Sequence, residues 1–126
     1  GAKTSIQITA YNYRFDVWYV FPGQPRTGGD NPSGLLKRHQ AELLRNHRGA
    51  RVRKRMWKDI FHKDMHPFRS VLQGKDGTVY ELFSVPSNQG YADRTFVFIV
   101  QYAPGEYRFA RHGVESIMKS FHVTDQ

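Results

Sequence analysis

The sequence predicts an α+β fold: a largely antiparallel sheet of about six strands with two main helices covering its faces. Three observations lead there. Phe96-Val-Phe-Ile-Val100 is an apolar run with no polar side-chain atom, set inside Arg94–Tyr102 and stopped by Pro104-Gly105. A short run bounded in this way reads as a strand buried on both faces. Gly74-Lys-Asp-Gly77 separates two strand-like runs, and Asp-Gly between such runs marks a hairpin. Two stretches, 32–46 and 107–121, carry apolar residues at helical spacing instead.

Taken in order, Ser5-Ile-Gln-Ile-Thr9 alternates as a short strand, and Tyr11-Asn-Tyr13 reads as a turn. Arg14–Phe21 is a second strand, stopped by Pro22-Gly23, with Trp18 and Val20 on the face that goes deeper towards its end. Residues 23–32 are rich in Gly, Pro, Asn and Asp and read as a loop. Asn31-Pro32 fits an N-cap followed by proline at the first helical position. The helix then runs to about Asn46, with Leu36, His39, Leu43 and Asn46/His47 on one face and Leu35 and Leu44 beside it, and Gly49 stops it.

From Arg51 to Phe61 the period changes to two. Arg51, Arg53, Arg55 and Trp57 share one face of this strand. A strand this basic meets solvent or a partner over its first half, because unpaired buried charge is too costly. Residues 62–67 connect it to the hairpin strands 68–73 and 78–85, and Pro86–Asp93 reads as a loop before the central strand. The closing helix, about Tyr107–Phe121, places Ala110, Val114, Ile117, Met118 and Phe121 on one face, and Gly113 weakens it by roughly 1 kcal/mol against Ala.

The 126 residues are read as one domain spanning 1–126. No stretch approaches the length of a membrane span. The start, Gly1-Ala2-Lys3, reads as processed, in keeping with a removed export signal. The absence of cysteine excludes disulfides, thiolate metal sites and cysteine nucleophiles. The formal net charge is +8, and residues 37–58 hold nine basic residues against one acid, Glu42, so this stretch alone accounts for the excess. Charge segregated in this way attracts acidic protein surfaces, nucleic acid or anionic lipid, or else is simply solvated on an exposed face.

His62-Lys-Asp64-Met-His66 is the sharpest candidate for a metal site, since imidazole, carboxylate and imidazole suit Zn²⁺, Ni²⁺ or Cu²⁺. The bland reading is a polar connection with two surface histidines. The glutamate of a zinc-protease motif is missing, as are a nucleophile elbow, a phosphate loop and a dinucleotide fingerprint. No catalytic residues and no cofactor are assigned. His39, His47, His112 and His122 read as partly buried structural residues of the helices. The partner-binding candidates are Lys37, Arg38, Arg51, Arg53, Arg55, Trp57 and Lys58, since arginine beside an aromatic grips phosphate and stacks on bases.

The aromatic strand ending Phe21-Pro-Gly-Gln-Pro25, the helix, the basic strand after Gly49, the Gly74–Gly77 hairpin, Phe98-Ile-Val-Gln-Tyr-Ala-Pro104 and the closing Ile117-Met-Lys-Ser-Phe121 occur in one order. That order resembles the Mog/PsbP-like superfamily, which includes bacterial DcrB-like exported proteins. The resemblance implies an α/β/α sandwich around an antiparallel sheet, without an inherited catalytic site. It also implies an accessory role: a non-enzymatic protein that engages a protein partner in the bacterial cell envelope, in the periplasm or otherwise exported, with a cytoplasmic location as the alternative. The basic segment 37–58 supports a second function, binding of nucleic acid or another anionic surface.

Overall fold

The fold is built outward from β7, Arg94–Tyr102. The computed structural model describes residues 4–14, 17–20, 24–26, 31–53, 67–87 and 94–122. β7 pairs along its whole length with β1 (Thr4–Arg14) on one side and β6 (Val79–Ser87) on the other, both antiparallel. Its two faces are buried under different helices. Val97 and Ile99 pack towards α1 (Pro32–Asn46), while Phe96, Phe98, Val100 and Tyr102 pack with α2 (Tyr107–Ser120). An unbroken apolar run is the sequence that such a position requires.

The remaining strands are β2 (Val17–Val20), β3 (Gln24–Arg26), β4 (Arg51–Val52) and β5 (Phe68–Gln73). The sheet order is β3-β2-β1-β7-β6-β5-β4, with every pair antiparallel. The chain thus forms two meanders, β1-β2-β3 and β4-β5-β6-β7. α1 carries it from one edge to the other, and the pairing of β1 with β7 joins them into one sheet.

α1 forms where its signals place it. The Asn31 side chain accepts from the Gly34 N–H at 2.7 Å, Pro32 occupies the first turn, and Gly49 follows the helix at φ +86°. Leu35 and Leu36 are buried, and Leu43 and Leu44 pack beside them. Each is worth about 1.5–3 kcal/mol when fully buried. Polar contacts fix the helix axially. Ser84 Oγ donates to the Pro32 carbonyl at 2.7 Å, Ser70 Oγ to Gln40 Oε1 at 2.5 Å, and the Tyr11 and Tyr80 hydroxyls meet His39 Nε2 and His47 Nδ1 at 2.6 and 3.3 Å. His39 and His47 are therefore docking residues. His39 is half-buried as expected, whereas His47, His112 and His122, also expected to be partly buried, are exposed.

The fold is a mixed α+β arrangement, and the expected α/β/α sandwich is not what the chain forms. The sheet is curled as a half-barrel and carries one helix on each face, not a layer of helices. The reason is dimensional: a helix is about 10 Å wide and strands are about 4.8 Å apart, so one helix covers about two strands. Beyond the helices the faces are curled over or left open, as at Ile8, which lies on the α2 side of β1 and is 54% exposed.

The strand count also differs from expectation. β1 runs through Tyr11-Asn12-Tyr13 without turning there. Tyr11 is buried and Tyr13 packs on Trp18 with ring centroids 5.1 Å apart, so aromatic packing overrides the turn signal of Asn12. β1 and β2 pair up to Arg14↔Val17. The stretch read as a loop contains β3, an edge strand in which Pro25 is tolerated because edge positions do not require every N–H. The loop expected from Pro86 begins later, since Pro86 and Ser87 still belong to β6. On α2, Val114 and Met118 are buried as expected, but Ile117 is 55% exposed.

Gly113 sits on the open side of α2, and a Cβ added there meets nothing within 4 Å. Gly113→Ala is therefore expected to stabilise the protein by about 1 kcal/mol, because it removes only unfolded-state freedom. A chemical denaturation midpoint that stays put or falls would contradict this placement of the residue.

Candidate anion-binding notch

Two tight turns meet at one end of the sheet. The first links α1 to β4: the Ala50 N–H bonds the His47 carbonyl at 3.1 Å, and Gly49 adopts a left-handed conformation. The second is the β5–β6 hairpin, closed by Gly74 N–H to the Thr78 carbonyl at 2.7 Å and Gly77 N–H to the Gly74 carbonyl at 3.1 Å. Asp76 accepts from the Thr78 N–H at 3.0 Å, and this bond holds its carboxyl below its ordinary value. The turns touch: a Cβ on Gly49 would lie 3.2 Å from Cβ of Lys75. Glycine is needed at 49 for both its backbone angle and its contact.

Between these turns is an open notch of about 510 Å³, lined by Gly49, Arg51, Gln73, Gly74, Lys75 and Gly77. Arg51 and Lys75 are exposed. Arg45 and Arg48 are exposed on the last turn of α1 and the residues after it. Among the described residues the lining holds two cations, one amide and three glycines, with no acid and no aromatic. That donor set suits a carboxylate or phosphate group.

Of the expected binding residues, Lys37 is exposed and Arg38 half-buried on α1, and neither lines the notch. Arg51 lines it. Arg53 is half-buried; its guanidinium donates to Gln73 Oε1 and its N–H to the Val71 carbonyl at 2.7 Å, so it extends the β4–β5 ladder by one bond. The basic strand expected to reach Phe61 is strand over Arg51–Val52, and its continuation lies outside the described residues. Arg55, Trp57 and Lys58 lie outside them, as do His62, Asp64 and His66 of the metal candidate. Among the described residues there is no group of three or more metal-ligating side chains, and no helix is long and apolar enough to cross a membrane.

Sequence reasoning missed two things. Lys75 was read only as part of a turn, yet the contact with Gly49 brings it to Arg51. The second is a charged cluster inside the core. Glu81, on β6, is fully buried. The Tyr102 hydroxyl donates to its Oε1 at 2.5 Å, and Arg111 Nε of α2 lies 3.1 Å from the same oxygen. Arg111 Nε also donates to the Tyr107 hydroxyl at 3.3 Å. Glu81 Oε2 is buried without a hydrogen-bond partner among the described residues. Burial raises the Glu81 carboxyl above its ordinary value of 4.5, a shift opposed by Tyr102 and by the charges of Arg111 and Arg69. Burial and the Glu81 carboxylate together push the Tyr102 hydroxyl far up.

No family model, curated protein or solved structure matches the chain. The resemblance to the Mog/PsbP-like superfamily accordingly has no support from known families, and the notch must be argued from its own chemistry.

A carboxyl whose folded value is raised contributes stability below its unfolded value and loses it as pH rises through the folded one. The protein is thus expected to become less stable relative to Glu81→Gln as pH rises from 4.5 through the raised range of Glu81. Denaturant titrations of both proteins at a series of pH values would show parallel curves if the carboxyl were not perturbed.

Proposed function

We propose that the chain is a non-enzymatic binding protein that engages an acidic surface of a protein partner at the notch between the α1–β4 turn and the β5–β6 hairpin. The observation that carries this is the lining itself: Arg51 and Lys75 both line a space with no acidic side chain among its described lining residues. Exposed Arg45 and Arg48 near this end of α1 extend the positive field and would steer an acidic partner towards it. Location outside the cytoplasm belongs to the same proposal and rests on the family resemblance alone.

Nucleic acid is the competing anion. Binding a strand without sequence preference combines a charged groove with aromatic platforms for the bases. Among its described lining residues the notch has no aromatic. The acidic protein surface is therefore preferred.

The test compares a short Glu/Asp-rich peptide with a single-stranded oligonucleotide of equal charge by fluorescence anisotropy. The peptide should bind at low salt and weaken as salt rises, and Arg51→Ala/Lys75→Ala should weaken it about tenfold, from about 0.5–1 kcal/mol per exposed charge. Tighter binding of the oligonucleotide would transfer the function to nucleic acid. Failure of both ligands at low salt would remove the anion-binding reading.

A further inference from the structure

Taking the notch as the binding site proposed above, on which this step rests, we infer that Arg53 is its positioning residue. The Arg53 guanidinium turns Gln73 so that the side-chain amide offers N–H donors to the notch, which fits the site to an ionised carboxylate. The placement follows from the strand register. Arg51 on β4 pairs directly with Gln73 on β5. Arg53 continues the same ladder, its N–H donating to the Val71 carbonyl at 2.7 Å. Residues two apart on a strand share a face, and so do directly opposite residues. Arg51, Arg53 and Gln73 are therefore on one face of this edge, and the Arg53 guanidinium donates through Nη1 to Gln73 Oε1. A guanidinium carries five donors and no acceptor, so the amide atom facing it is the oxygen. What Gln73 has left is its Nε2–H₂, which brings two donors. Gln73 lines the notch, and Arg53 is not among its described lining residues.

The consequence is a donor pattern. An amide that is not held turns its oxygen or its nitrogen to the notch, and an oxygen there repels an anion and competes for Arg51 and Lys75. With Oε1 engaged by Arg53, the three side chains of the described lining, Arg51, Gln73 and Lys75, meet a ligand with donors. The hairpin backbone adds little, because the Gly74 and Gly77 N–H groups are spent on the turn. An ionised carboxylate has acceptors alone and matches this lining, whereas an alcohol or a neutral amide sets donors of its own against it. Matching matters here because the charge is partly offset. A Cβ on Gly74 would lie 2.9 Å from Asp76 Oδ1, so the Asp76 carboxylate stands beside the lining. The notch thus takes a Glu or Asp side chain of the partner and distinguishes it from Gln or Asn by donor pattern as well as by charge.

The test follows the Glu/Asp-rich peptide by anisotropy and the Gln73 side-chain amide by ¹⁵N NMR. Adding peptide to the unmodified protein should shift the Gln73 Nε2–H₂ signals with the same half-saturation as the anisotropy. Gln73→Met removes the donors and keeps the charge, so it should weaken binding about fivefold and leave the salt dependence unchanged. Arg53→Ala should cost about tenfold with Gln73 present and only about twofold in the Gln73→Met background, where charge alone is lost. Gln73 signals that stay still while the peptide binds would overturn the inference without any variant having to fold. So would an Arg53→Ala cost that is equal in both backgrounds. If Gln73→Met binds like the unmodified protein while Arg51→Ala/Lys75→Ala weakens the peptide, the role of Arg53 falls and the notch stands. If the peptide does not bind at low salt, both fall.

Discussion

The pairing of β1 with β7 is the constraint on which the other elements depend. It joins the first strand of the chain to the last, in register from Thr4↔Tyr102 to Asn12↔Arg94. Without it the chain is two separate meanders, each with an open edge. With it, β7 has a partner on both sides and cover on both faces, and every other element is placed relative to it. Such a closure is entropically expensive, because nearly the whole chain lies between the two strands. What offsets the cost is the side-chain content of β7: Val97, Phe98, Val100 and Tyr102 are all essentially buried. A polar residue in the middle of that strand would remove the return on closure, which is why the longest purely apolar run falls there.

One helix per face follows from the same topology. α1 lies on the connection from the β3 edge to the β4 edge, and it covers the face it crosses. α2 is the tail after β7 and covers the other. Two helices cannot form layers over seven strands, so the sheet curls. The core under α2 is polar at one place, where Glu81, Tyr102, Tyr107 and Arg111 meet. An apolar set of similar volume would serve stability as well or better. What the charged set adds is register: only one axial position of α2 brings Arg111 to Glu81.

The parts of the fold legible in the sequence were those with local causes. Asn31-Pro32 caps α1, Asp76-Gly77 turns the hairpin, and Phe96–Val100 is a buried strand, each specified within a few residues. The parts that were not legible had distant causes. β6 is buried from Val79 to Val85, more continuously than β7, yet Glu81 and Ser84 break its apolar pattern. Their partners, Arg111 and the Pro32 carbonyl, lie far along the chain. Tyr11-Asn12-Tyr13 looks like a turn until Trp18 and the α1 face claim its aromatics. For the candidate site, Arg51 was legible from charge alone, whereas Lys75 reaches it only because two turns pack against each other at Gly49.

That packing bears on what the positive charge is for. A basic edge strand needs no partner to explain it, since lysine and arginine on an edge prevent unwanted strand pairing. Among the described strands β4 is the edge of the sheet, and Arg51 alone would serve that purpose. Edge protection, however, has no use for Lys75, which projects from a hairpin tip and not from the edge strand. Asp76, the acid of that hairpin, accepts from the Thr78 N–H, a bond that keeps it ionised beside the notch, and is not among the described lining residues. Arg51 and Lys75 on one notch, beside a Gly49 whose backbone angle favours glycine, is what the proposed recognition of an anion would use and what protection of an edge does not call for.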